Sequence, residues 1–239
     1  MRALPLILLA VAGCSVPGHR PVLTVGAAAD LQFALDEIAR DFQAAEVRPT
    51  YGSSGNLFSQ IQNHAPFDVF LSADINYPRR LAESGGAVAN SIFTYGTGHI
   101  VVWVPKSSHL DPGHALGDPA VRHIAIANPQ HAPYGRAAEA ALHSMGIYDA
   151  VAGKLVFGEN ITQTLQFVQS GAADAGIVAL SLALAPAVRK TGSYWTIPDN
   201  THPAVEQGGI IVRDSPAARA FTAYIQSGVL DRYGFTREK

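Results

Sequence analysis

Four turns constrain this chain most strongly, because each one joins a short apolar run to a segment with helical spacing. They are residues 26–30, 52–56, 128–135 and 158–162. A strand-to-helix turn presents unpaired backbone N–H groups and the positive end of the helix dipole. Small residues at these turns let an anion approach the backbone closely. One such turn is a weak anion site and four that converge make a strong one, so the pattern indicates a two-lobed receptor that closes over a small oxyanion.

The first part of the chain alternates apolar runs with helical segments. The apolar runs are 23–25, 47–51 and 68–72, and the helical segments are 31–45, the segment that begins at Leu57, and 75–84. Such alternation predicts a mostly parallel sheet that is covered on both faces. Ligands of open α/β sheets lie at the carboxyl ends of strands, where the first two turns fall.

A second lobe is predicted to begin at Ile100–Val104, just after the turn-forming sequence 96–98. It repeats the pattern with strands at 124–127, 154–157 and 175–178 and with helices at 135–145 and 161–170. The chain is predicted to cross back near 208–212 and to finish with a helix at 216–226. The predicted divisions are 1–20 for an export segment and tether, 21–98 with 208–239 for lobe I, and 99–207 for lobe II. Two crossings form a hinge, and hinge closure around a ligand is a common switching geometry.

The first residues have the features of an export signal. Arg2 supplies the positive start, and the apolar stretch Leu4–Val11 is too short to span a bilayer. Residues 11–14 resemble the bacterial lipoprotein cleavage box, in which Cys14 would be lipidated and become N-terminal. Cys14 is the only cysteine of the chain, so it forms no intrachain disulfide. The alternative is an ordinary signal peptide with an incidental cysteine.

Composition excludes several classes of protein. Once Arg2 is removed with the signal, the chain has 16 basic and 19 acidic residues, which gives a net charge of about −3. This charge and the absence of a basic run argue against nucleic-acid binding. An acidic protein can still hold an anion through N–H dipoles and hydroxyl groups. The nine histidines are scattered, so no metal site or metal cofactor is expected. The sequence Gly52-Ser53-Ser54-Gly55 lacks the Gly-x-Ser-x-Gly spacing of a hydrolase, which favours a receptor over an enzyme.

Six short motifs, in order, carry a family resemblance. They are 27–31, 52–54, 67–74, 128–135, 176–178 and 232–235. With them the chain resembles the periplasmic molybdate-binding proteins of ABC-type importers over essentially its whole mature length. The resemblance implies a type II periplasmic-binding fold and an extracytoplasmic, monomeric receptor without a cofactor. Such a receptor captures molybdate or tungstate between its lobes and delivers it to a membrane permease.

The resemblance also implies ligand-binding residues. Ser54 matches a hydroxyl donor, and Ile161 matches an apolar residue that donates its backbone N–H. Tyr134 matches a position at which some members have a tyrosine and others use only the backbone N–H of an alanine. Asp30 stands where the family usually has Ser or Asn. A further tyrosine, which some members have after the Gly-Ile-Val strand, is replaced here by Ala179.

Each of these assignments has a structural alternative. Ser54 could be a plain helix N-cap, and Tyr134 a packing or surface aromatic. An ionised Asp30 would repel a dianion in a dehydrated site. Asp30 could therefore cap the following helix, bind as a neutral acid, or accept a proton from a protonated oxyanion or bind a cation. For that reason phosphate or sulfate stays open as an alternative ligand. His131 is expected to be a solvated loop residue.

Overall fold

The computed structural model describes residues 20–237, and the predicted signal peptide and Cys14 lie outside this range. The strands are β1 Val22–Ala28, β2 Glu46–Gly52, β3 Val69–Ser72, β4 Phe93–Gly98, β5 Ile100–Pro105, β6 Ile124–Ala127, β7 Leu155–Gly158, β8 Ala175–Ala179, β9 Gly192–Thr196 and β10 Val205–Ile211. The α-helices are α1 Gln32–Asp41, α2 Ser54–Gln62, α3 Asn76–Glu83, α4 Pro133–Ser144, α5 Tyr148–Val151, α6 Ile161–Gln169, α7 Leu180–Ala183 and α8 Pro216–Tyr224. A 3-10 turn, Ala29–Leu31, precedes α1, and a π-helical turn, Ile225–Val229, follows α8.

The strands form two five-stranded sheets. The strand order is β2-β1-β3-β10-β4 in the first sheet and β7-β6-β8-β5-β9 in the second. Each sheet is mixed, with two parallel and two antiparallel pairings. We call the first sheet with α1–α3 and α8 the first lobe, and the second sheet with α4–α7 the second lobe. Two mixed sheets with flanking helices confirm the predicted fold class.

Helix α1 illustrates how the apolar spacing builds a lobe. Leu35 and Ile38 lie one turn apart and are fully buried against the first sheet, as the 3.6-residue period requires. The helix was expected to continue to residue 45 but ends at Asp41. Phe42 adopts an extended backbone instead, and its ring packs edge-on against Phe221 of α8 at 5.2 Å. The helix therefore ends where the ring of Phe42 packs against α8.

Two connections join the lobes. The first is the single residue His99, between β4 and β5, and the second is the segment 197–204, between β9 and β10. The imidazole Nδ1 of His99 lies 2.9 Å from a carboxylate oxygen of Asp199, so the two connections contact each other. The predicted return to the first lobe at residue 208 falls inside β10, which pairs with β4 from Val205 onward.

Candidate functional site

A small cavity lies where the four turns meet. The residues that line it are Ala28, Ala29, Asp30, Gly52, Ser53, Ser54, Ala73, Ala132, Pro133, Tyr134, Asn160 and Ile161. Sheet register explains the convergence. Ala28 pairs with Gly52 at the ends of β1 and β2, and Ala127 pairs with Gly158 at the ends of β6 and β7. Each lobe thus contributes two neighbouring turns, and no Lys, Arg or His is among the described residues that line the cavity.

A hydrogen-bonded cluster of three buried side chains forms one wall of the site. The Tyr134 hydroxyl donates to Oδ2 of Asp30 over 2.9 Å, and Nε2 of Gln207 donates to the same oxygen over 2.7 Å. The Gln207 amide also donates to the Tyr134 oxygen over 2.8 Å. Asp30 belongs to the first lobe and Tyr134 to the second, so the cluster links the lobes beside the cavity.

Burial shifts the pKa values of the ionisable groups in this cluster. Burial raises the pKa of the Asp30 carboxyl group to about 6, although the hydrogen bonds from Gln207 and Tyr134 and the backbone N–H groups of Asp30 and Leu31 favour the charged form. Burial and the nearby Asp30 carboxyl raise the pKa of the Tyr134 and Tyr95 hydroxyls well above the ordinary value. Both tyrosines are therefore protonated across the physiological range.

The predicted cap role of Asp30 is not found. No side-chain hydrogen bond caps the 3-10 turn Ala29–Leu31 or helix α1. The main-chain carbonyl of Asp30 accepts a hydrogen bond of 2.8 Å from the Ser181 hydroxyl, and that of Ala29 accepts one of 2.9 Å from Thr162. Hydroxyl groups of the second lobe therefore hold the first turn in place and leave the carboxyl group to the cluster.

Ser54 is the first residue of α2, and Ser53 occupies the N-cap position. The Ser54 hydroxyl oxygen accepts a hydrogen bond of 2.9 Å from the Ala73 N–H, and the residue is buried. Ser54 is therefore not a plain N-cap. Because a hydroxyl can accept and donate at once, its proton stays available to a ligand in the cavity.

Two helix N-termini of the second lobe offer free backbone donors. The Asn160 side chain accepts hydrogen bonds of 3.0 Å from the N–H groups of Thr162 and Gln163 and so caps α6. The N–H of Ile161, the first residue of α6, has no acceptor inside its own helix. In α4 the first residue, Pro133, has no N–H, so Tyr134 carries the first main-chain donor of that helix. Both donors belong to residues that line the cavity.

Further contacts across the cleft hold the lobes together. The Gly55 N–H donates to the His131 carbonyl over 2.9 Å, and His131 Nδ1 lies 2.9 Å from the Ser53 hydroxyl. Asn56 donates to the Glu159 carboxylate. His131, expected to be a solvated loop residue, is instead a closing contact of the two lobes.

Sequence reasoning missed Gln207, which no motif marks. It lies on β10, and the pairing of β10 with β4 shifts register between Gln207 and Gly208. Such an irregularity re-aims a strand side chain. The available signal in the sequence was a glutamine directly before the run 208–212, and the structure buries this glutamine fully.

Two structural features are absent from residues 20–237. No helix in this range is long and apolar enough to cross a bilayer. In the same range no group of three or more His, Cys, Asp or Glu side chains is placed to hold a metal ion.

Comparison with known proteins identifies the family. The model of the bacterial extracellular solute-binding proteins matches residues 23–236. The molybdate-binding protein ModA of Azotobacter vinelandii is 38% identical over 222 residues, which cover 88% of each chain. ModA of Rhodobacter capsulatus is 31% identical and covers 100% of this chain and 97% of its own.

A solved structure agrees with these sequence relatives. The periplasmic molybdate-binding protein of Azotobacter vinelandii superposes with a TM-score of 0.84 at 31% identity, covering 91% of this chain and 100% of that one. The family predicted from the six motifs is confirmed. The protein belongs to the bacterial extracellular solute-binding protein family.

Proposed function

We propose that the protein captures molybdate in the cavity between its lobes and delivers it to the permease of an ABC importer. The observation that carries this proposal is the convergence of four helix-opening turns on one cavity, and none of the described residues that line it has a cationic side chain. Neutral donors at helix N-termini suit a dianion that must be released again. The relatives named as molybdate-binding proteins supply the choice of anion. Tungstate shares the geometry of molybdate, and we expect it to bind as well.

Four residues would contact the ion. Ser54 would donate its hydroxyl proton, and Ile161 its main-chain N–H. Tyr134 would donate its main-chain N–H, because its hydroxyl is engaged with Asp30 and Gln207. Asp30 lines the same cavity with one carboxyl oxygen that has no hydrogen bond among the described residues. Since these donors come from both lobes, the ion would favour the closed form over the open one.

Calorimetric titration of the mature, lipid-free protein tests the proposal. We expect one-to-one binding of molybdate and tungstate and no heat of binding with sulfate or phosphate. Ser54→Ala should weaken molybdate binding about 10- to 100-fold, because a hydrogen bond to a charged group contributes about 1.5–3 kcal/mol. Ser59→Ala, at an exposed position of the same helix, is the matched control and should bind like the wild type. Sulfate or phosphate binding more tightly than molybdate would reject the proposed ligand.

We also propose that the protein acts outside the cytoplasm as a monomeric, non-catalytic receptor, anchored by a lipid on Cys14. The support is the cleavage box at residues 11–14 and the extracellular character of the family. Cells that express the full chain should incorporate labelled palmitate into the protein, and Cys14→Ser should abolish the label. A labelled Cys14→Ser protein, or an unlabelled wild type, would contradict the anchor.

A further inference from the structure

The two carboxyl oxygens of Asp30 have unequal surroundings. Oδ2 receives the hydrogen bonds from Tyr134 and Gln207, whereas Oδ1 has no partner among residues 20–237. Asp30 is only 1% exposed, and it lines the cavity. A buried polar atom without a partner is costly unless something else binds it. The free oxygen therefore points to a group that arrives with the ligand.

Counting donors fixes where a proton on this carboxyl group can lie. The Gln207 amide donates to both Oδ2 of Asp30 and the Tyr134 oxygen, so the Tyr134 hydroxyl proton is directed to Oδ2. Two donors occupy the two lone pairs of Oδ2, as they would those of the carbonyl oxygen in a neutral carboxylic acid. A proton added to the carboxyl group therefore binds to Oδ1, and the resulting O–H can donate into the cavity.

Among residues 20–237, no positive charge faces Asp30 to make its ionised form compatible with a bound dianion. The titratable groups that face Asp30 are the hydroxyls of Tyr134 on α4 and Tyr95 on β4, and both are protonated. From the other elements packed against it, β10 contributes the neutral Gln207 and α7 the Ser181 hydroxyl.

Two further titratable groups lie close to the cavity, beyond Ser53. They are His131, which contacts the Ser53 hydroxyl, and Glu159, whose carboxylate lies 3.7 Å from the other imidazole nitrogen. Like charges at contact distance in a dehydrated cavity repel strongly. With no cation facing Asp30, neutralising its carboxyl group is the remaining way to relieve the repulsion.

We propose that Asp30 binds the oxyanion as a neutral carboxylic acid that donates its Oδ1–H, so that capture of the dianion by the ionised receptor takes up one proton from solvent. The inference rests on the proposed function and adds proton coupling to it. In the binding step an O–H bond forms at Oδ1, and the solvent acid that gives up the proton becomes its conjugate base. Binding then depends on pH even where the anion itself does not titrate.

Calorimetry in several buffers of different ionisation enthalpy measures this coupling directly, with molybdate as the probe. At about pH 8 the wild type should take up about one proton per bound anion, and at about pH 5 about a tenth of a proton, since Asp30 is then already protonated. Over the same range the affinity should fall about tenfold for each pH unit above about 6. The infrared difference spectrum on binding should show a protonated carboxyl band at the higher pH.

Two variants test whether Asp30 is the group that takes up the proton. Asp30→Asn replaces the acid by a neutral donor of the same shape, and it should bind molybdate without proton uptake, without the carboxyl band and without the loss of affinity at high pH. Asp41→Asn, the same change at the exposed end of α1, should behave like the wild type. Uptake that persists in Asp30→Asn would place the proton on another group and overturn the inference. Molybdate binding by the wild type with no proton uptake at pH 8 would overturn it and leave the proposed function standing, whereas no molybdate binding at any pH would overturn both.

Discussion

Replacing Gly55 by valine is expected to weaken molybdate binding at least about 100-fold while both lobes stay folded. A Cβ atom at this position would lie 2.6 Å from the His131 carbonyl oxygen and 2.9 Å from the Tyr77 hydroxyl. The carbonyl belongs to the backbone of the opposite lobe and accepts the Gly55 N–H, so it cannot move aside alone. If a ligand binds only the closed form, its affinity falls by the same factor as the population of that form. Calorimetry measures the loss, and solution scattering with saturating ligand should show a molecule that stays open.

Gly117→Val is the matched control, because a Cβ atom at Gly117 has no neighbour within 4 Å and the residue is exposed. This variant should bind molybdate like the wild type. Thermal unfolding of both variants without ligand separates loss of closure from loss of fold. Tight binding by Gly55→Val would show that the Gly55–His131 contact is not part of the liganded form.

The second large effect concerns stability without ligand. Asp30→Asn should raise the free energy of unfolding at pH 8 by about 3 kcal/mol and leave it nearly unchanged at pH 4. The carboxyl group has a pKa of about 6 when folded against 3.8 ordinarily, so the folded protein binds the proton more tightly than the unfolded chain does. Protonation of this carboxyl group therefore stabilises the folded state fully below about pH 3.8. That stabilisation is lost as the pH rises from 3.8 to about 6, and above pH 6 the folded wild type stays less stable by a constant amount. Asparagine carries no charge and escapes the penalty.

Denaturant unfolding of the ligand-free wild type and Asp30→Asn between pH 4 and pH 8 measures this difference. Asp41→Asn should follow the wild-type curve, because its carboxyl group is exposed. Equal stabilities of wild type and Asp30→Asn at pH 8 would mean that Asp30 is solvated without ligand. The outcome does not depend on which anion the protein binds.

The convergence of the site was predictable from the sequence, because it follows from local rules. Each turn joins a strand to a helix, and parallel neighbouring strands end at the same edge, so 26–30 meets 52–56 and 128–135 meets 158–162. The meeting of the two pairs followed from the two-lobed pattern. The four predicted ligand residues, Asp30, Ser54, Tyr134 and Ile161, all line the cavity. Their contact with the ion stays a prediction.

The partners of Asp30 were not predictable, since they depend on long-range geometry. Gln207 lies 177 residues from Asp30 and reaches it through a register irregularity of β10, which no local pattern encodes. Strands β4 and β9 were also missed. Both are edge strands, and their sequences, Phe93–Gly98 and Gly192–Thr196, contain glycine and threonine in place of an apolar run. Their pairing with β10 and β5, and not their own composition, makes them strands.

The described residues that line the cavity include no Lys, Arg or His, and this also affects how fast an anion arrives. The chain has a formal net charge of −2, so its long-range field repels a dianion on approach. Dissolved salt screens that repulsion over a distance of about 10 Å at 0.1 M, and the association rate should therefore rise with ionic strength. A receptor that attracted its anion with lysine or arginine would show the reverse. Recognition by neutral dipoles thus gives a lower association rate at low ionic strength. In return, salt does not reduce this rate, as it does for receptors that attract their ligand by charge.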